Sequence, residues 1–469
     1  MRIVVISVPI QIDKSSDVPV RAQIASAYTQ AIRAGRLPTG SALPSVRGLS
    51  SRLGVSPATV VAAYRELCDS GLASASPRSA FRVAGPAHAP ANRVFQLNRI
   101  EPDLRLHPVA EFARLLAEVA AGDCSIGGYE DYRGHVGLRE AVADLNRDAG
   151  IESDPASGLL ITSGAQQAIS LIARSLETGV SVACEDPCYP GARMAFSGAG
   201  ANIVAVRMGN DGPEAESLAA IAQPGAVAAF YCCPTYGNPS GRSWSEEARI
   251  RVLEAASSGG FLVIEDDYLG DLDYLGEAPT RLTALAGRFP KARVVHIRTF
   301  SKCLLPALRI AGVSGEPALI DRLVSLKVAD DLGCSAYLQR ALAHFIRLGR
   351  YREHLERVRP HYRERRTQLR NMLTGIGGVV FDDPPAGLCL LGRLDDGVDL
   401  NRFVAECARN DLLISPGGDY WLHSRDGAQR FRIGFGSLLP EEMPLVAAAM
   451  GKALAVARSP VPAGALSIL

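Results

Sequence analysis

Lys302 is one of only five lysines in 469 residues; it follows Thr299-Phe300-Ser301, with Arg309 seven positions on. An amine beside two hydroxyls and a guanidinium suits a cofactor that carries both a carbonyl and a phosphate. The amine forms a Schiff base, and the planar arginine fork neutralises the phosphate. Two further clusters belong with it. Ile264-Glu265-Asp266-Asp267-Tyr268 ends an apolar run in acids, and Thr162-Ser163-Gly164-Ala165-Gln166 joins an apolar run to a helical one. Free N–H groups and the positive end of a helix dipole make such a junction an anion site. Taken singly, these clusters read equally well as a surface lysine, a solvated strand end and an ordinary N-cap. Together they supply what pyridoxal phosphate requires. Lys302 provides the amine, and Asp266 keeps the ring nitrogen protonated. Ser163, Gly164, Ala165, Gln166, Ser301 and Arg309 hold the phosphate, with Thr299 beside them.

These groups need a scaffold. From about residue 99, β-rich runs alternate with helical stretches such as 165–177. The runs are 159–163, 180–186, 227–233, 261–267 and 293–300. Continuous apolar strands alternating with helices predict a mostly parallel α/β sheet covered on both faces. Such sheets bind ligands at the carboxyl ends of their strands, where all three clusters fall.

The N-terminal part reads differently. Val20, Ile24, Ala27, Tyr28, Ala31 and Ile32 predict a helix over 20–34. Ser45 can cap a short helix over 46–53, and Gly54 breaks it. Ser56 then caps a third helix, with Pro57 at its first position, running to about Asp69. Residues 72–83 read as two short strands of a wing. This is a helix-turn-helix whose core is Val46, Leu49, Leu53, Val55, Val60 and Leu67. Ser45, Arg47, Ser56, Thr59 and Arg65 remain for phosphates and base edges. A small basic helical domain with a solvated face is the alternative.

Charge separates the two parts. Residues 1–90 hold ten Lys/Arg against four acids, so that segment is +6 although the chain's formal net charge is +1. A phosphate-rich partner would favour the +6, by counterion release on binding. No run approaches the ~20 apolar residues of a membrane span. The apolar opening, Met1 to Ile10, lacks the flanks of a signal peptide and is expected as an extended arm. Ten scattered cysteines without a CxxC argue against a disulfide framework or a zinc site, and no metal is expected. A cytoplasmic location is the simple expectation. Residues 84–98, rich in Ala and Pro, read as a linker.

Residues 19–83 resemble the winged helix-turn-helix of GntR-type regulators. The matching positions include Leu43-Pro44-Ser45, Arg47, Leu53-Gly54-Val55-Ser56, Thr59-Val60, Ala63-Tyr64 and Gly71-Leu72. The resemblance implies DNA contacts from Ser45, Arg47, Ser56, Thr59 and Tyr64. Pro57 and the wing tip Arg78-Ser79-Ala80 depart from the family pattern.

Residues 99–457 resemble fold-type-I aminotransferases, with motifs in the family's order. Gly128-Tyr129 resembles the entry motif, which implies that Tyr129 reaches the neighbouring subunit's phosphate. Asp186-Pro187-Cys188-Tyr189-Pro190-Gly191 resembles the loop whose aromatic residue, here Tyr189, stacks on the cofactor ring. Asn238-Pro239-Ser240-Gly241 resembles the motif whose Asn bonds the ring hydroxyl, with Tyr268 as a second partner. Arg432, in Phe-Arg-Ile-Gly-Phe, resembles the clamp for a substrate or effector carboxylate, and Arg193 is expected as a second clamp. Arg298 stands where glycine usually precedes the lysine motif.

The fusion is similar to the MocR subfamily of GntR-type transcription regulators. The stretch around Gly349-Arg350-Tyr351, His354-Leu355, Arg359, Tyr362 and Arg365-Arg366 adds to this; it is charged all round and reads as a solvated helix. The resemblance implies a winged helix-turn-helix over 1–83, a linker over 84–98, an aminotransferase-like unit over 99–457 and a tail over 458–469. It implies a mostly parallel central sheet and a smaller C-terminal α+β subdomain. The expected protein is a head-to-tail homodimer that binds pyridoxal phosphate, operator DNA and a small amine, amino acid or cofactor effector. A working aminotransferase stays open, since nothing the first half-reaction needs is missing. A cofactor-free dimer is the third reading.

Overall fold

A computed structural model describes residues 10, 12–13, 19–33, 37, 41–69, 72–74, 81–83, 94–122, 124–275, 279–384, 386–423 and 427–458. The chain divides into two compact units, with the boundary between Val94 and Phe95.

The first unit contains α1 (Val20–Arg33), α2 (Val46–Leu53), α3 (Pro57–Asp69) and the antiparallel pair β1 (Ala73–Ser74) and β2 (Arg82–Val83). Local chemistry sets the turn between α2 and α3. Ser45 Oγ accepts the Gly48 N–H at the start of α2, and Gly54 closes the helix in the left-handed conformation, φ 62°. A side chain is strained there, so glycine suits the position. Ser56 Oγ then accepts the Thr59 N–H, and Pro57 opens α3 where its missing N–H costs nothing. Leu49, Val60 and Leu67 are buried with Ile24, Tyr28 and Val83, and Val46, Leu53 and Val55 pack against them. The expected arm (1–9), the wing tip (78–80) and the tail beyond Arg458 lie outside the described residues.

The second unit begins with β3 (Phe95–Gln96), α4 (Val109–Gly122) and α5 (Val136–Asp148). A seven-stranded sheet follows: β4 (Leu159–Thr162), β5 (Ser181–Asp186), β6 (Asn202–Arg207), β7 (Ala229–Cys232), β8 (Leu262–Asp267), β9 (Arg293–Thr299) and β10 (Ala311–Ser314). Its order is β4-β10-β9-β8-β7-β5-β6, and only β10 runs against the rest. The connecting helices are α6 (Ala165–Ser175), α7 (Pro190–Gly198), α8 (Ala215–Ile221), α9 (Glu246–Gly259) and α10 (Leu282–Leu285). β4, β7 and β8 are buried along their whole length, as a sheet covered on both faces requires.

Beyond the sheet come α11 (Pro317–Asp330), α12 (Ala336–Arg347) and the 25-residue α13 (Arg350–Thr374). The C-terminal subdomain holds β11 (Val379–Phe381), β12 (Cys389–Leu394), α14 (Leu400–Arg409), β13 (Leu412–Leu413), β14 (Ser415–Pro416), β15 (Arg430–Gly434) and α15 (Met443–Arg458). β11, β12, β15 and β14 form an antiparallel sheet.

Two expectations need correction. The linker does not extend to 98: β3 pairs in parallel with β13, and Leu97 is buried in the subdomain core. Phe95 and Leu97 bury apolar surface there, which outweighs the loop-like composition upstream. The charged stretch 350–374 is not solvated all round. Tyr351, His354, Leu355, Val358, Tyr362 and Arg365 are buried, and the polar ones are paired. Tyr351 OH donates to Asp271 Oδ2 (2.9 Å) and Arg365 pairs with Asp103 (2.9 Å).

Candidate cofactor and effector site

A cavity of about 240 Å³ opens at the carboxyl ends of the central strands. It is lined by Ala165, Gln166, Tyr189, Asn238, Asp266, Tyr268, Thr299, Ser301, Lys302, Arg309 and Arg432, together with Ile100 and Cys233. Thus most of the residues singled out in the sequence meet around one space. A larger cavity of about 380 Å³ adjoins it through Cys233 and Asn238 but holds no lysine.

Lys302 follows β9. Its Nζ donates to the backbone carbonyl of Ile100 at 2.6 Å. Burial pushes its pKa down, and Arg432 and Arg309 act in the same direction. This favours the neutral amine that attacks a carbonyl. The turn beneath it is braced by two histidines. His354 Nε2 donates to Cys303 O at 3.0 Å, and His107 Nδ1 bonds Leu304 O. Tyr362 OH lies 2.9 Å from His107 Nε2.

Asp266 is the penultimate residue of β8, with its side chain buried. Oδ2 accepts from Tyr231 OH at 2.6 Å, while Oδ1 is buried with no hydrogen-bond partner. Burial pushes its pKa up to about 6. A protonated pyridine nitrogen would supply both the missing donor and the missing positive charge. Asp267, one residue on, differs. Burial opposes its ionisation, but Arg281, His296 and Arg298 outweigh that and hold it well below the usual carboxylate range. Alternation along the strand separates these two acids.

Arg309 and the start of α6, with Ala165 and Gln166, meet at the cavity wall. Gly164 caps α6 at φ 87°, and a Cβ there would stand 2.6 Å from Arg309 Nη2. Only glycine meets both demands. The first-turn N–H groups of α6 have no partner within the helix, and the Arg309 guanidinium stands beside them. Gln166 uses its side chain otherwise: Nε2 donates to Gly191 O, and Oε1 accepts from Tyr189 OH at 3.1 Å. Ser163 turns its hydroxyl towards Cys334, at 3.4 Å, and only its carbonyl meets Arg309. Neither Ser163 nor Gly164 lines the cavity.

Arg432, on β15, donates to Asn238 Oδ1 at 3.0 Å and to Asn98 O. Its guanidinium lies over the Tyr420 ring, 5.2 Å from the centroid. Tyr268 OH donates to Tyr236 O at 2.7 Å. Arg193, expected as a second clamp, is not brought to the cavity. Its guanidinium is committed to the carbonyls of Trp421 and Asp419, and it is absent from the cavity wall. Arg298 also lies outside the cavity: it pairs with Asp271 and donates to Asn146 Oδ1 at 2.9 Å. Tyr129 is 88 % exposed and does not line this cavity.

In the first unit Arg47 is exposed. Ser45 and Ser56 act as caps, and Thr59 Oγ1 lies 2.8 Å from Ser56 Oγ. Tyr64 is not a surface residue. It is fully buried, packs on Tyr28 and Phe81, and donates to Pro44 O at 3.0 Å. It falls on the same helical stripe as Val60 and Leu67, which decides the matter.

Sequence reasoning missed Tyr231, Cys233 and Ile100. Tyr231 and Cys233 alternate on the strand next to Asp266, a signal that was legible. Ile100 takes part through its carbonyl, which no side-chain pattern reveals.

Residues 98–449 match the family model for aminotransferase class I and II, and residues 20–83 match that for bacterial regulatory proteins of the gntR family. The chain is 28 % identical to the HTH-type transcriptional regulator TauR of Rhodobacter capsulatus, over 91 % of this chain and 94 % of that protein. It is also 28 % identical to the probable rhizopine catabolism regulatory protein MocR of Rhizobium meliloti, over 92 % and 93 %. A kynurenine aminotransferase of Pyrococcus horikoshii, solved in complex with PMP, superposes with a TM-score of 0.72 at 26 % identity, over 78 % of this chain and 92 % of that one. The chain belongs to the aminotransferase class I and II family, in MocR-like form, fused behind a gntR-type helix-turn-helix domain.

Proposed function

We propose that this protein is a pyridoxal-phosphate-binding transcription regulator that senses the cofactor, or an amine competing for it, and responds at operator DNA. The unpartnered Asp266 Oδ1, buried in the cavity that Lys302 and Arg309 also line, carries the cofactor part. Bound pyridoxal phosphate supplies an electrophilic carbonyl and an electron-withdrawing ring. Lys302 would present its amine to that carbonyl. Asp266 Oδ1 holds the proton on the ring nitrogen, Arg309 and the start of α6 bind the phosphate, and Asn238 and Tyr268 flank the ring hydroxyl. Arg432 takes an effector carboxylate.

The regulatory part rests on where the chain re-enters the site. Lys302 donates to Ile100 O, and Arg432 donates to Asn98 O. Both acceptors lie just past the unit boundary at Val94. A ligand that takes the lysine amine and the arginine clamp releases both backbone carbonyls. The first residues after the DNA-binding unit then lose two anchors, so ligand binding biases one conformation over another. The exposure of Tyr129 supports a dimer in which it reaches a second copy's phosphate site. A cytoplasmic location follows from the DNA-binding role.

Addition of pyridoxal phosphate should produce a visible absorption band that Lys302→Ala abolishes. Hydrogen exchange over 95–103 should rise when the band forms. A wild type that stays colourless overturns the cofactor reading; a band without any change in exchange overturns the signalling route. Because the cavity holds every group needed to hold an amino acid and move its proton, a working aminotransferase is the second reading. Steady turnover at about 1 per second or faster would establish it.

A further inference from the structure

We propose that α3 selects its operator chiefly through contact with thymine methyl groups in the major groove, with Arg65 making a guanine contact. This rests on the DNA-binding reading above and concerns how the sequence is read. The recognition helix of a helix-turn-helix presents its outer face, especially its N-terminal half, to base edges. On α3 the core-facing stripe is Val60, Ala63, Tyr64 and Leu67. The opposite stripe is Ala58, Val61, Ala62 and Arg65. Pro57, Ala58 and Arg65 are exposed, and Val61 and Ala62 are half-buried. Ala58, Val61, Ala62, Arg65 and Glu66 share one surface groove with Arg21.

The nearby polar groups are already engaged. Ser56 Oγ accepts from the Thr59 N–H and lies 2.8 Å from Thr59 Oγ1. Ser45 Oγ accepts from Gly48 N. Tyr64 OH donates to Pro44 O inside the core. Pro57 has no N–H. The N-terminal half of the outward stripe, Ala58, Val61 and Ala62, therefore carries no amide or carboxylate that could read adenine or cytosine; Glu66, an exposed carboxylate, lies beyond it with Arg65 on the C-terminal half. The methyl of thymine is the major-groove feature an apolar side chain distinguishes, and a planar guanidinium matches guanine O6 and N7. Apolar side chains here also disfavour unmethylated pyrimidines by leaving a gap.

Full-length protein would first select duplexes from a randomised library, and the selected duplex would then be made with dU in place of dT. Each lost methyl contact should weaken binding about fourfold, or roughly 15- to 60-fold for two or three. The salt dependence should not change, because the phosphate contacts are the same. Val61→Ala should reduce the dT-to-dU ratio, and Arg65→Ala should erase preference at one G·C pair while keeping sensitivity to dU. Binding to the two duplexes within twofold of each other overturns the proposal and leaves DNA binding standing. So does a dT-to-dU ratio unmoved by Val61→Ala together with Ala58→Gln, which would assign the effect to DNA shape. Failure to enrich any sequence overturns this proposal and the DNA-binding reading together.

Discussion

Asp266 meets opposed demands on stability and binding. Its buried carboxyl has one unpartnered oxygen and a pKa raised to about 6. The folded, ligand-free protein therefore binds a proton that the unfolded chain has released between about pH 4 and 6. Stability from this residue is present at low pH and is lost as pH rises through that window. Asp266→Asn keeps an acceptor for Tyr231 and removes the buried charge. Ligand-free Asp266→Asn should be more stable than wild type at pH 8, by up to about 3 kcal/mol, with the gap closing towards pH 4. The same change should weaken pyridoxal phosphate binding by about tenfold or more, since a charge-assisted bond is lost. Thermal melts with and without cofactor test both halves. Tyr64 separates packing from recognition: as a buried aromatic, Tyr64→Ala should cost about 3–5 kcal/mol of stability in its unit, read by denaturation. Its position in the motif was legible in the sequence; its inward direction follows from sharing a stripe with Val60 and Leu67.

At the scale of elements, α13 is the brace behind the lysine turn. His354 bonds Cys303 O, and burial lowers its pKa to about 3. For a histidine whose folded pKa is depressed, stability is present above about pH 6.5 and is lost as pH falls towards 3. His354→Gln should flatten that acid limb of a Tm-against-pH curve. It should also cost about 1–3 kcal/mol at neutral pH wherever Cys303 O is left unpaired. The charge pattern of α13 pointed to solvent because its arginines outnumber its apolar residues. Its buried members include polar side chains whose partners, Asp103, Asp271 and Cys303, lie far away in sequence. No local pattern marks such pairs. By contrast the strands and their clusters were legible, because each apolar run leads straight into its functional residues.

For the whole molecule, the +6 of residues 1–90 belongs to the unit that carries α2 and α3. Arg47→Ala should weaken DNA binding and reduce the slope of log K against log salt by about 0.9, the value for one phosphate contact. The cofactor absorption band should be unchanged, since Arg47 lies in the other unit. An unaltered salt slope would place Arg47 away from the DNA backbone. Tyr129→Ala should weaken cofactor binding although Tyr129 does not line the Lys302 cavity of its own chain, and titration of wild type against variant measures it.

The sequence by itself determined the two-part organisation, the mostly parallel sheet and the gathering of Lys302, Asp266 and Arg309 at its strand ends, because these depend on local periodicity and on residue types at strand ends. The tertiary structure decided what depends on direction and distance. It turned Tyr64 inward, committed Arg193 to the carbonyls of Asp419 and Trp421, and drew Phe95 and Leu97 out of the linker into a β pair. It also placed the carbonyls of Ile100 and Asn98 on the side chains of Lys302 and Arg432. Backbone carbonyls are the same in every residue, so only folding assigns them partners.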